Sequence, residues 1–384
     1  MTHSTWSIVE SRGRPGLEQL EADWRRLYAQ IPLRTSFLSY EACLAHVDHF
    51  MTTPDQLRCL ALVDGRQVRA ICLLEPRRQR LLGHRVALWG VLQQWHARQA
   101  DVLCPDDEAR RELVPALVAY LRRNPDGRRL LLLGPAPAGS ALWEGLRRLG
   151  RAGYYVEPRE SVHALDCGMA FDELRASLPG RFRQVLNRAQ RKLAELPDVR
   201  FVTVDATSGF DAAFSDFLDV EASGWKGDNG TRTAVRCRKA LSAFFHDLGA
   251  NLRGDADYCE IVALYSQERC IAASFATRTG ATYSGLKIGY DEAYGRVSPG
   301  QLVVEKMAER CCRDPGIARL DMVSDAAWVR GWRPDLVPLQ VAYVVIDRWP
   351  RYLITAALAQ LGLGPARRLA GRLRARRAAG EEPA

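Results

Sequence analysis

Residues 283–302 read YSGLKIGYDEAYGRVSPGQL, and the order of residue types in this stretch decides the fold. Tyr283–Tyr290 carries aromatic and β-branched residues and reads as a strand. Gly295–Gly300 is a turn of small residues. From Gln301 to Arg313 the apolar residues recur at helical spacing. The pattern is therefore strand, loop, helix N-terminus. The first amides of a helix lack intrahelical partners, and its dipole favours negative charge there, so this geometry is a natural anion cradle. Gly300 permits close approach, Pro299 suits the first helical position, and Arg296 adds positive charge. The residues alone are equally compatible with an ordinary helix start capped by Ser298.

Before this stretch, Glu260–Tyr265 and Cys270–Thr277 read as a hairpin. Phe201–Val204 reads as a strand, and Phe210–Ala222 and Val235–Leu248 as helices. Beyond it, Arg319–Val323 and Ala342–Ile346 read as strands. The first half shows a similar plan. Ser7–Glu10 is strand-like, Leu17–Ile31 has a helical period, and a second helix carries Tyr40 to Phe50. Cys59–Val63 and Val68–Leu74 flank Asp64-Gly65, a tight-turn pair, and Val86–Trp89 follows as a strand. Glu112–Leu121 and Ala141–Leu149 read as helices around a buried strand at Leu130–Leu133. The two hairpins overlay at an offset of 202: Ala61 and Leu62 on Ala263 and Leu264, Ala70 on Ala272. A diverged duplication is expected. Strands mixed with helices around largely antiparallel sheets predict α+β lobes rather than a doubly wound sheet.

At 384 residues the chain suits two domains of about 150–200 residues each. With 47% apolar and 26% charged residues it can build cores, which excludes a disordered chain. The formal charge of +9 fits an anionic cofactor, an RNA or a membrane surface without choosing among them. Ten cysteines are scattered without a CxxC and mostly inside apolar runs, as for buried thiols in a reducing compartment. The first residues lack a basic stretch followed by an apolar one, and no apolar run approaches the length of a membrane span, so a cytoplasmic location is expected.

Residues 283–302, with 220–231 (VEASGWKGDNGT), resemble the BioF2-like or CelD-type acetyltransferase family. That family belongs to the GNAT superfamily and is related to the FemABX aminoacyl transferases. The matching residues are Glu221, Ser223–Gly227, Gly230, Thr231, Lys287, Gly289, Asp291, Glu292 and Ser298–Gly300, and the layout follows over roughly residues 5–350. The resemblance implies two GNAT-like lobes, each a mostly antiparallel mixed sheet flanked by helices. Residues 1–160 form a lobe without a cofactor loop, 161–350 a lobe with an acyl-CoA loop, and 351–384 a basic amphipathic tail. It implies N-acyl transfer from acyl-CoA, acetyl-CoA or longer, to an amine acceptor such as a sugar amine or amino acid, in envelope or exopolysaccharide biosynthesis. Arg296, Val297, Ser298, Pro299, Gly300 and Gln301 would hold the donor's pyrophosphate. Trp225, Lys226 and Lys287 would contact substrate.

Acyl transfer needs a neutral amine, a proton for the departing thiolate and donors for the oxyanion. Glu221, Asp325 and Tyr290 are the candidate catalytic residues. Each also has a plain structural role open to it, as a solvated helix residue, a cap and a packing residue. The chain departs from the family in two places. Pro299 and Gln301 stand in the loop where Gly and Gly/Ala are usual, and Trp328-Val329 replaces an aromatic-Lys pair. These departures keep two alternatives open: an aminoacyl transferase using charged tRNA, and a non-enzymatic accessory protein of polysaccharide assembly.

The remaining signals are weaker. His46 and His49 with Asp48 lack a further ligand motif, and no metal is expected. Gln93-Gln94-Trp95-His96 is a polar-aromatic loop. Residues 181–192 form a basic helix with an apolar stripe, a solvated face or a contact for RNA or an anionic substrate. Ala366–Ala379 carries six arginines with Leu369 and Leu373 four apart, so reversible contact with an anionic inner membrane is expected there.

Overall fold

Two runs of buried, strand-forming residues turn back on themselves at Asp64-Gly65, where Gly65 takes φ +61°, a conformation only glycine adopts freely. The computed structural model describes residues 6–81, 84–94, 97–150, 153–323 and 326–346. Asp325, Trp95, His96 and the segment Ala366–Ala379 lie outside the described residues.

In chain order the first part holds β1 (Trp6–Arg12), α1 (Gly13–Glu18), α2 (Glu21–Ala29), α3 (Tyr40–Phe50), β2 (Arg58–Asp64), β3 (Gln67–Leu81) and β4 (His84–Val91). Then come α4 (Asp107–Arg123), β5 (Leu130–Pro137), α5 (Ala141–Leu146) and β6 (Tyr154–Pro158). The helical period over Leu17–Ile31 resolves as two helices, α1 and α2. Past the junction lie β7 (Val162–Asp166), α6 (Phe171–Ser177), α7 (Gly180–Leu193), β8 (Val199–Asp205), α8 (Phe210–Glu221) and α9 (Lys239–Asn251). They are followed by β9 (Asp257–Ser266), β10 (Arg269–Thr279), β11 (Thr282–Tyr290), α10 (Pro299–Arg313), β12 (Arg319–Asp321), β13 (Asp335–Val337) and β14 (Leu339–Val345).

The strands form two sheets of seven. Read from the β1 edge, the first runs β1-β2-β3-β4-β5-β14-β6. Read from β8, the second runs β8-β9-β10-β11-β12-β7-β13. Among the described strands only β4–β5 and β11–β12 pair in parallel. The architecture is α+β, as expected. The two orders match position by position, and the register agrees with the offset of 202. Leu62 pairs with Ala70 in the first hairpin, and Leu264 with Ala272 in the second.

The match also shows an exchange. Each repeat ends in an edge strand and then a closing strand, and the closing strands are swapped. β7 inserts between β12 and β13, and β14 between β5 and β6. The expected boundary after residue 160 falls between β6 and β7. It places β14 with the second lobe, however, and that placement is corrected: Leu339–Val345 completes the first sheet. A local pattern reports that a strand exists, not which sheet receives it.

Helices cover both faces of each sheet. In the first lobe α4 and α5 pack on one side and α1–α3 on the other. In the second, α8 and α9 pack on one side and α6, α7 and α10 on the other. Strands covered on both faces are buried along their length rather than alternating, as in β2, where six of seven residues are buried and five of those are apolar. The lobes share core: Ala42 and Ala45 of α3 pack into the aromatic cluster of α8 and α9. Arg34 makes a bidentate pair with Asp257 at 2.9 Å. Nearby, the Thr279 hydroxyl donates to the Arg34 carbonyl at 3.0 Å.

Candidate active site

β11 and β12 are hydrogen-bonded only from Thr282 to Ser284, against Arg319 to Asp321. β11 runs on to Tyr290 with β10 along one edge and no described strand along the other. The ladder with β10 slips at Phe275/Ala276, so that Lys287 faces Phe275 and Gly285 faces Ala276, with Leu286 the extra residue. Such a bulge bends the strand and increases its twist. The two parallel strands splay, and a cleft opens between them.

At the end of this cleft β11 leads through the 3-10 turn Glu292–Val297 into α10. Ser298, at φ +51°, turns the chain into the helix, and its hydroxyl caps no amide. The first turn of α10 holds no acidic residue. An anion here would meet the Gly300 amide, since Pro299 has none and the Ser298, Gln301 and Leu302 amides donate to the Gly295 and Ser298 carbonyls. A Cβ built at Gly300 would stand 3.4 Å from the Tyr290 ring, and one at Gly295 would meet nothing within 4 Å.

The first lobe closes the equivalent places. Its parallel pair is limited to Trp89–Gly90 on Leu131–Leu132. The segment after β4 is strapped across that opening, with the Ala100 amide on the Pro135 carbonyl at 2.7 Å and Leu103 bridged to Ile71. Asp106 caps α4 through the Ala109 amide at 2.8 Å, and Asp107 and Glu108 fill its first turn. Carboxylates already occupy the position an anion would take.

The block from Ser223 to Gly227 folds over the end of β11. Gly289 lets the end of α8 press on the strand, since a Cβ there would lie 2.3 Å from the Glu221 Cα. Glu221 is buried, and both its oxygens are engaged, by the Val235 amide at 2.7 Å and by Lys226 Nζ at 3.3 Å. Lys226 Nζ also donates to the Ile288 carbonyl at 2.6 Å. The Trp225 amide donates to Glu292 at 3.1 Å, and its indole is 57% exposed. Glu221 is thus placed to hold Lys226 on the strand edge. Neither of its oxygens points free toward a reacting atom.

Two adjoining cavities result. One, about 340 Å³, is lined by Glu221, Trp225, Lys226, Tyr290, Ser298, Gly300 and Gln301. The other, about 1110 Å³, lies between the lobes, with Gln93, Arg98, Glu157, Arg159 and Glu160 on one wall and Lys287, Ile288 and Met307 on the other. Trp225, Lys226, Ile288 and Trp328 line both.

Charge in the larger cavity is mostly paired. Arg159 holds Glu157 at 2.7 Å, and Arg98 holds Glu160 at 3.1 Å. Lys287 makes no ion pair among the described residues. Burial pushes its ammonium down from the ordinary 10.5 to about 8. Glu221 opposes that shift, while Lys226 and Arg238 add to it.

The structure therefore gathers Glu221, Tyr290, Trp225, Lys226, Ser298, Gly300 and Gln301 at one cavity and places Lys287 in the next. Val297 and Pro299 are buried beneath the loop, and Arg296 is exposed beside it. His46 is buried, and His49 is bonded to Asp247 at 2.6 Å. Among the described residues no group of His, Cys, Asp and Glu could hold a metal. Sequence reading missed the first-lobe wall, Arg98 and Glu157–Glu160. Only Gln93, in the polar-aromatic loop, gave a sign of it.

Residues 180–330 match a family model described as an acetyltransferase (GNAT) domain. The second lobe is a GNAT-type acetyltransferase domain. By that domain the chain is an acyltransferase. The GNAT match spans α7 to the 3-10 turn Ala327–Trp332 and takes in the splayed strands, the loop and α10. No curated protein matches the chain. Solved structures resemble it in fold over nearly its whole length. FemX aligns with a TM-score of 0.59 at 10% identity, covering 89% of this chain and 98% of that one. The C-terminal domain of a putative lysylphosphatidylglycerol synthetase from Agrobacterium fabrum aligns with 0.56 at 12% identity, covering 89% and 96%. At such identities the likeness is one of fold. No helix among the described residues is long and apolar enough to cross a membrane.

Proposed function

We propose that the chain is an N-acyltransferase that takes an acyl group from acyl-CoA and delivers it to an amine held between the lobes. The observation that carries this reading is the splayed β11–β12 cleft, which leads to an acid-free helix N-terminus at Gly300. The Gly300 amide and the positive end of the α10 dipole, with Arg296 outside them, suit the donor's pyrophosphate. The edge of β11 beyond Ser284 has no neighbouring described strand, with Lys226 on the Ile288 carbonyl, and suits an extended chain bearing amides, which adds to a sheet edge as a strand would. The blocks around Glu221–Gly227 and Ser298–Gly300 resemble the CelD-type acetyltransferases, which supports acyl-CoA as donor.

In this reading the acceptor enters the larger cavity, and its neutral amine attacks the thioester carbonyl. The N–C bond forms and the C–S bond breaks. The amine proton leaves to water, and the thiolate takes a proton from the Lys287 ammonium. A thiol ionises near 8.5, so a lysine at about 8 is well matched to that transfer. Trp225 and Lys226 border the passage between the cavities and position the acyl group. The paired charges of Arg98, Glu157, Arg159 and Glu160 suit a polar acceptor such as a sugar amine or amino acid.

A second donor is favoured by one observation, the whole-chain fold likeness to FemX: an aminoacyl group carried on tRNA. Calorimetry with acetyl-CoA, longer acyl-CoAs and charged tRNA, followed by thiol release with a panel of amines, separates the two. Saturable acyl-CoA binding with amine-dependent thiol release is expected. Binding of charged tRNA with no response to any acyl-CoA would replace this reading with aminoacyl transfer.

A further inference from the structure

Around the GNAT loop lies a surface whose charge, Arg296 apart, the proposed site does not use. Residues 178–194, which include α7, carry Arg181, Arg183, Arg188, Arg191 and Lys192 and no acidic residue. The 3-10 turn Glu292–Val297 packs against α7. On the other side Phe182 meets Trp332 edge-on at 5.3 Å, and the backbone at Gly331 lies against the same ring. Residues 293–301 add Arg296, and residues 326–334 add Arg330 and Arg333, again with no acid. Three contiguous stretches thus hold eight basic residues, in a chain whose whole formal charge is +9.

Elsewhere arginines are largely matched, as Arg25 is by Glu21 and Glu41, and Arg278 by Asp314. Among the described residues none of these eight makes an ion pair. Of the bordering acids, Asp291 is turned to Arg269 and Glu292 to the Trp225 amide, while Glu195 and Asp335, which close two of the stretches, make no ion pair with the eight among the described residues. A surface of one sign repels itself and draws anions of opposite charge to it, which makes a polyanion the partner to look for.

The shape of the patch distinguishes between polyanions. Positions i, i+4, i+7 and i+11 of a helix fall in one line, which aligns Arg181, Val185, Arg188 and Lys192 along α7. Val185 is 45% exposed in the middle of that line. The ring of Phe182 is packed on Trp332, and Trp332 is buried, so the stretch presents no open aromatic platform of the kind that stacks nucleic-acid bases. An exposed aliphatic residue within a row of arginines on a helix lying flat is the pattern of an interfacial helix. There the aliphatic group enters the headgroup boundary and the arginines hold phosphates.

We propose that the outer face of α7, continued by Arg330 and Arg333, docks on an anionic lipid surface. The neighbouring cavity mouth is then held against the membrane, where an amine acceptor carried by a lipid would be delivered. The surface stands whichever donor is used.

The test is flotation of the full chain with phosphatidylcholine vesicles, with and without phosphatidylglycerol, at about 0.1 M salt, where surface charges still act over roughly 10 Å. Binding only to the anionic vesicles is expected. Replacing Arg181, Arg188, Arg191 and Arg330 by Gln together lowers partitioning about a hundredfold or more, each basic residue at a surface being worth about fivefold. Val185→Ser lowers it further. Acetyl-CoA affinity and the circular dichroism spectrum stay unchanged, which keeps this outcome separate from the donor assignment. Equal flotation of the four-site variant would overturn the proposal. So would absence of vesicle binding together with Arg-dependent binding of an RNA homopolymer.

Discussion

Replacing Lys287 by Met should make the protein more stable and less active at once. A lysine whose folded pKa falls from 10.5 to about 8 carries a penalty of about 3 kcal/mol in its charged form. Screening at the cavity wall reduces the recoverable part to about 1–2 kcal/mol. Below pH 8 both folded and unfolded chains carry the proton, and the penalty is felt in full. Between pH 8 and 10.5 the folded chain has lost the proton while the unfolded chain keeps it, so wild-type stability rises with pH. Above 10.5 the difference vanishes. Urea unfolding of wild type and Lys287→Met at pH 7 and near pH 10.5 reads this directly: a gain at pH 7 that shrinks toward zero. In turnover, wild-type kcat should fall as pH rises through about 8, because the neutral amine has no proton for the thiolate. In the variant kcat should drop by about 10²–10⁴ and lose that limb. A variant that keeps both kcat and its pH profile, or that is destabilised at pH 7, would refute the role given to Lys287.

Three further outcomes are expected. Arg34→Met leaves Asp257 with only the Gly280 amide at the lobe junction, and thermal unfolding should show a loss of about 1–3 kcal/mol. A chain ending at Pro338 lacks β14 and leaves the inner edges of β5 and β6 unpaired, so it should be aggregation-prone or lack a cooperative transition. Arg296→Ala, exposed beside the loop, should weaken CoA binding by about 1–3 kcal/mol in calorimetry without altering stability.

Much of this was legible because local chemistry sets it. Residues 283–302 showed strand, turn and helix start, and Asp64-Gly65 showed a hairpin, because turn residues and apolar period act over a few positions. Three identities at offset 202 were enough to suggest a repeat, and they fall on equivalent register pairs. The strand exchange was not legible. β7 and β14 have the same apolar character wherever they pair, and only tertiary packing assigns their sheets. Neither were the contacts of Glu221. A carboxylate at the end of α8 reads as a candidate base, and only the packing shows the Val235 amide and Lys226 on its two oxygens. The wall formed by Arg98 and Glu157–Glu160 comes from β6 and a loop 60 residues before it, which no motif joins.

Gly300→Val tests the anion site at the start of α10 most directly. A Cβ at Gly300 meets the Tyr290 ring at 3.4 Å, an ordinary contact, so the variant should fold. Its methyl groups would stand where a phosphate must approach the residue 300 amide at the helix start. Titration of acetyl-CoA into both proteins by calorimetry should give saturable binding to wild type and at least about a hundredfold weaker binding to Gly300→Val, with melting temperatures within a few degrees. Equal affinity in the two folded proteins would place the donor elsewhere and contradict the site.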